Sequence, residues 1–236
     1  QGQWVQAEGA IYEFFDEKYH VIDYPRSSAT YYIVGVDYGT INPCAYVLVG
    51  YNPHRTPNLW VEDEYYYNSR AKQRQKTDGE LADDLQAFIA GKRVEAIYID
   101  PSAASFKVEL VRRGVDNVCD ANNDVNNGIG FLGMRLNEES FKICRKCVNL
   151  IQEFQSYVWD EKAAKNGVEK PKKENDHALD ALRYAIFTHF FGQDGAPTSP
   201  QELEKRWRET RLLGPDLPPQ FQSPQNLGYN PMGHPF

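Results

Sequence analysis

The chain has 236 residues, 41% of them hydrophobic, and a formal net charge of −7. That length suffices for one well-cored domain with extra segments, or for two small domains. No apolar run approaches the roughly 18 residues that cross a bilayer, and the acidic balance argues against a protein held to nucleic acid by bulk charge alone. The opening QGQWVQAEGA is neither basic nor apolar enough for a signal peptide, and its lack of an initial Met suggests a piece cut from something longer. Cys44, Cys119, Cys144 and Cys147 are too few and too scattered for a disulfide framework. Cys144 and Cys147 form a CxxC with no second ligand pair near it. They read instead as thiols on one face of a helix, which suits a reducing, intracellular setting.

Residues 1–30 carry EGAIYEFFDEKYHVIDYPRSS, aromatic but without a sustained period. This segment reads as a linker with a strand or a turn of helix packed on the main domain. From Tyr31, YYIVGVD is a dense β-branched and aromatic run ending in Asp37. The YGTINP turn leads to CAYVLVGY, and NPHRTPN leads to LWVEDEYYY. Turns this short make the three strands an antiparallel meander. Then the period changes: Thr77 or Asp78 caps a helix through LADDLQAFIA, stopped by Gly91. EAIYID is short and apolar, as buried parallel strands are, and it ends in Asp100. SAASFKVELVRRG is a helix stopped by Gly114, and VDNVCDA a brief fifth strand.

NNDVNNGIGFLGMRL is turn-rich and reads as a loop. LNEESFKICRKCVNLIQEF reads as one long helix with a capping-box start, and QSYVWDEKAAKNGVEKPKKE as a hairpin or flexible loop. The last long helix opens with NDHALDALRY and runs to about Phe191, with Asn175 as N-cap and Asp176 in its first turn. Beyond Gly192 come a short charged helix, QELEKRWRETRLLG, and a Pro/Gln/Asn/Gly tail that cannot bury enough apolar surface to order itself alone. The expected organisation is therefore a linker over 1–30, a domain over 31–191, and a helix with a flexible tail over 192–236.

Three strands followed by helix–strand–helix–strand–helix give a mixed α/β sheet with helices on both faces. The order is that of a ribonuclease H-like fold, three antiparallel strands and then two parallel, with the first strand central and the fourth beside it. Asp37 and Asp100 then end neighbouring strands, at the edge where open α/β sheets bind ligands. On the final helix Leu179, Leu182, Ala185, Ile186 and Phe190 share an apolar face, while Asp176, His177, Asp180 and Tyr184 fall on the other side. Those polar residues suit either a solvated face or a site shared with the two strand-end aspartates.

Three carboxylates at one point repel: two unit charges about 4 Å apart interact by roughly 4 kcal/mol at an effective dielectric of about 20. Bound cations relieve this, and all-oxygen ligation selects hard ions, Mg²⁺ or Mn²⁺. Two such ions suit phosphodiester cleavage. Asp37 would bridge both, Asp100 and Asp180 would each hold one side, and Asp176 is a possible fourth ligand. His177 could orient the attacking water or contact the scissile phosphate. On this reading, neutralising Asp180 relieves repulsion. Two basic runs flank the scheme and are candidate contacts for a phosphate-bearing ligand: Arg70, Lys72, Arg74 and Lys76, then Lys170, Lys172 and Lys173.

One rival reading takes VGVDYGT as the phosphate-binding turn of actin-like and sugar-kinase ATPases. It needs a second Gly-bearing loop, which IYIDPSA lacks. Another is a catalytically silent docking module.

VGVDYGT, IYIDPSA, the NNGIGFL segment followed by the Cys-bearing stretch and SYVWD, and above all DHALDALRYA together resemble the nuclease domain of the large terminase subunit of tailed bacteriophages. EGAIYEFFDEKYHVI resembles the stretch that joins that family's ATPase domain to its nuclease, so the likeness covers roughly residues 5–190. It implies an endonuclease that cuts concatemeric viral double-stranded DNA with little sequence preference during headful packaging, with metal ligands at Asp37, Asp100 and Asp180 and support from His177. It further implies the terminase small subunit and the portal protein as partners, and the cytoplasm of an infected bacterium as its setting. No GxxxxGK[ST] occurs, so the family's ATPase half is not in this sequence. The tail after Phe191 matches nothing in the family pattern.

Overall fold

The computed structural model describes residues 9–192 apart from 26, 139 and 168, together with 199, 201, 202 and 205. The expected C-terminal helix and tail lie almost wholly outside these. The described chain opens with α1 (Glu17–His20), capped by Asp16, and β1 (Val21–Ile22). The meander follows as β2 (Tyr31–Asp37), β3 (Cys44–Tyr51) and β4 (Leu59–Tyr67). After α2 (Ser69–Lys72) comes α3 (Asp78–Phe88), started by a full capping box between Thr77 and Glu80. Next are β5 (Val94–Ile99), α4 (Ala104–Arg112) and β6 (Val118–Asp120). The chain continues through α5 (Val125–Leu136), β7 (Phe141–Cys144), α6 (Val148–Ser156) and α7 (Glu161–Lys165) to α8 (His177–Phe190).

The seven strands form one mixed sheet in the order β1-β7-β4-β3-β2-β5-β6. β2 pairs antiparallel with β3 and parallel with β5, so Asp37 and Asp100 end neighbouring strands as the sequence implies. Side chains alternate across the sheet and divide the core in two. Ile33, Ala45, Val47 and Val49 face α5, α6 and α8, whereas Val34, Val36, Tyr46 and Leu48 face α3 and α4. Counting by twos from Ile33 through Gly35 puts Asp37 on the α8 side, and counting from Tyr98 puts Asp100 there too.

Two segments differ from expectation. NNDVNNGIGFLGMRL is helix, not loop: Asp124 caps α5, and Gly128 lets that helix press against the Arg183 stem, where a Cβ would lie 2.7 Å from Arg183 Cδ. The expected long helix over LNEESFKICRKCVNLIQEF is instead β7 followed by α6. Phe141 and Ile143 are claimed by the sheet, since β7 fits in parallel between β1 and β4, and such pairing overrides local periodicity. Cys144 therefore ends a strand and Cys147 sits at the N-cap of α6, both as buried free thiols rather than on one helix face. The expected hairpin around α7 is closed by a single Trp159–Pro171 bridge.

Candidate metal centre

α8 is the element that completes the site, and a glycine determines how near it comes. An ideal Cβ on Gly35 would lie 1.7 Å from the Ala181 carbonyl oxygen and 3.1 Å from Ala185 Cβ, so β2 accepts the helix backbone directly. The residue beside Ala181 is Asp180. The helix is also buried on most of its surface: Asp176 is 4%, Asp180 6% and Arg183 2% exposed. The solvated-face reading of these carboxylates is thereby overturned. So is the expected cap, because Asn175 adopts a left-handed conformation (φ 50°) and Asp176 takes the N-cap position without a side-chain cap bond. The cap comes from elsewhere. Glu153 of α6, 3% exposed, accepts a 2.8 Å hydrogen bond from the Leu179 backbone N–H, and burial pushes its carboxyl up to about 8.

Asp37, Asp100, Asp176, His177 and Asp180 all line one open cleft of about 1010 Å³. His177 Nδ1 donates to Asp37 Oδ2 at 2.8 Å. Burial pushes the Asp37 carboxyl up despite that bond. It would pull the His177 imidazole down, but the Asp37 carboxylate outweighs it and raises His177 above its ordinary value. Asp100 accepts from the Ser102 backbone N–H at 2.7 Å, from Asn123 Nδ2 at 2.9 Å and from the Tyr184 hydroxyl at 2.9 Å. Burial would raise Asp100, but hydrogen bonds, led by those of Ser102, hold it below the usual carboxylate range. Asp180 Oδ1 accepts from Arg183 at 2.9 Å, and its Oδ2 from Lys173 Nζ at 3.0 Å.

As these side chains stand, no three His, Cys, Asp or Glu groups among the described residues are gathered as the ready-made ligand shell of an ion. His177 engages Asp37, while Lys173 and Arg183 engage Asp180. The donor chemistry nevertheless fits a hard divalent cation: carboxylate oxygens from three elements, no thiolate, and a positive group already drawn between Asp176 and Asp180.

The basic runs divide. Arg70 lines the cleft and donates to Asn42 at 3.1 Å, while the exposed Lys72 lies outside it. Arg74 pairs with Glu80 and Lys76 with Asp84, the latter also over the Tyr67 ring at 4.7 Å. Lys170 and Lys173 line an adjoining pocket of about 330 Å³, and Lys172 pairs with Glu174 at 2.7 Å. Sequence reasoning missed Glu153, Arg183 and Asn123. Of these, Arg183 lay in plain view inside the NDHALDALRY string.

The family model described as "Terminase RNaseH-like domain" matches residues 58–188. The large terminase subunit of Escherichia phage T5 is 28% identical over 191 residues, 77% of this chain and 42% of that protein. The structure of the large terminase of a thermophilic bacteriophage in complex with ATP-γ-S is 41% identical at a TM-score of 0.74, covering 81% of this chain and 48% of that one. The P22 large terminase nuclease domain shares the fold at 18% identity and a TM-score of 0.61, covering 76% of this chain and 91% of that domain. The chain thus spans less than half the length of the T5 protein and of the thermophilic phage's large terminase.

Proposed function

Because the chain belongs to the terminase RNase H-like domain family, we propose that it is the metal-dependent endonuclease of a phage DNA-packaging motor, cutting concatemeric double-stranded DNA with little sequence preference. The observation that carries this reading is the convergence of Asp37, Asp100 and Asp180, from β2, the end of β5 and α8, on one open cleft. Asp37, Asp100 and Asp180 would hold two Mg²⁺ or Mn²⁺ ions, with Asp176 beside them. When bound, such a pair activates a water and stabilises the leaving oxygen.

The chain's own groups do the rest. Tyr184, Asn123 and the Ser102 backbone N–H fix the Asp100 carboxylate. Asp37 orients the His177 ring, leaving Nε2 as the nitrogen to hold a water or a phosphate oxygen. Arg70 and Lys170 stand at the cleft and beside it, where a backbone phosphate needs a cation. The small terminase subunit and the portal protein are the proposed assembly partners, in the cytoplasm of an infected bacterium.

Plasmid nicking by the purified chain tests the reading. Cutting is expected with Mn²⁺ or Mg²⁺ and is lost in excess EDTA, while Ca²⁺ binds but supports little cutting because its looser geometry misplaces the water. Undiminished cutting in EDTA would sink the metal assignment. DNA binding without nicking under any of these ions would leave the silent docking module instead.

A further inference from the structure

Lys173 stands out among the basic residues because its ammonium faces inward. Its side chain is 53% exposed, yet Nζ lies 3.0 Å from Asp180 Oδ2 and 3.3 Å from Asp176 Oδ2. Asp176 Oδ2 is buried and outside hydrogen-bond geometry with any partner, so this ion contact is what balances it. Arg183 already occupies the other oxygen of Asp180. A monovalent cation on an exposed stem therefore neutralises the two carboxylates of α8 that face the cleft. The same stem borders the adjoining pocket with Lys170, which gives the ammonium somewhere to go.

We infer that Lys173 is an internal counter-cation, competing with a divalent ion for Asp176 and Asp180 and passing to the DNA backbone when that ion enters. The inference rests on the metal-dependent nuclease reading and adds a coupling to it. An ion that frees Lys173 raises affinity for duplex DNA, and by linkage DNA raises affinity for the ion by the same factor. It also explains how the carboxylate cluster is tolerated without a metal, since the chain supplies its own positive charge.

The test uses Ca²⁺, which leaves DNA uncut. Calorimetric titration should show Lys173→Met binding Ca²⁺ about tenfold more tightly than the parent, a difference of about 1.4 kcal/mol. The parent's duplex affinity should rise on adding Ca²⁺, and that rise should vanish in Lys173→Met. Without an ion the variant should melt below the parent and recover when Ca²⁺ is added. Should Lys173→Met fail to fold, Lys173→Gln keeps a donor without the charge and carries the same expectations. Lys146→Met, whose residue pairs with Asp63 at 2.6 Å and lines neither pocket, should match the parent. Ca²⁺ affinity in the Lys173 variants equal to or weaker than the parent's would overturn the counter-cation while leaving the nuclease reading intact. A parent that binds no divalent ion would remove both.

Discussion

Replacing Gly35 with Ala tests the seat of α8 without altering any polar side chain. The added Cβ would sit 1.7 Å from the Ala181 carbonyl oxygen and 2.7 Å from its carbonyl carbon. Both are helix backbone, so no rotamer change makes room. Ordinary contact begins at 3.4 Å, so α8 would have to withdraw by about 1.7 Å. Gly35 also pairs with Val47 on one side and Tyr98 on the other, which prevents β2 from yielding instead. Overpacking of this kind costs roughly 1–3 kcal/mol or more. Misplacing a reacting group by about 1 Å costs about a hundredfold in rate, and Asp180 moves with its helix. Gly35→Ala should therefore lower the melting temperature and cut nicking at saturating Mn²⁺ by at least about a hundredfold. Adding Ala181→Gly should not rescue it, because the obstacle is a carbonyl. If Gly35→Ala melts within about 0.5 kcal/mol of the parent and nicks at the parent rate, the helix does not rest on β2 as described.

Asp180→Asn should abolish most nicking and, contrary to the repulsion argument drawn from sequence, cost stability. It weakens the partner of a buried arginine whose second amino group already lacks one, a loss of about 1–3 kcal/mol. Asp83→Asn, on the exposed partner of Arg113, should stay within about 0.5 kcal/mol, and nicking equal to that control would remove Asp180 from the site. Arg70→Ala and Lys170→Ala should each weaken duplex binding and flatten its salt dependence by about 0.9 in log–log slope. Arg74→Ala and Lys76→Ala should do less, being paired on α3; the reverse ranking in a filter-binding series would move the DNA path to that side. Glu153 holds its proton in the folded chain up to about pH 8 but releases it near 4.5 when unfolded, so its contribution to stability declines as pH rises through that window. Glu153→Gln should flatten the fall in melting temperature between pH 5 and 8, and an unchanged slope would show that this carboxyl is ionised throughout.

The parts of the site legible in the sequence are those fixed by local alternation. Asp37 and Asp100 end dense β-branched runs, and counting by twos along those runs places them on one face. What could not be read depends on partners distant in the chain. β7 owes its existence to β1 and β4, about 120 and 80 residues away in sequence order. α5 carries three glycines that argue locally for a loop, and it is helical because α8 needs a close neighbour there. Glu153 looks like any solvent-facing carboxylate of an amphipathic helix until the amide of Leu179 is placed against it. Lys173 has the sequence context of a phosphate contact, and only the fold turns its ammonium toward two aspartates.

Every residue of α8 from Ala178 to Phe190 except Thr188 is buried, whereas Lys172 to Asn175 just before it are exposed. Amide hydrogens within that helix have no local opening through which to exchange, so they should be among the slowest in the protein and report its global unfolding. Those of the preceding strap should exchange orders of magnitude sooner. Asp180 thus rides on a helix as durable as the fold, while the ammonium that faces it sits on an exposed segment tied back by the Lys172 N–H to Val158 carbonyl bond at 3.0 Å. A factor that acts through Lys173 would need to shift only that segment and not the helix.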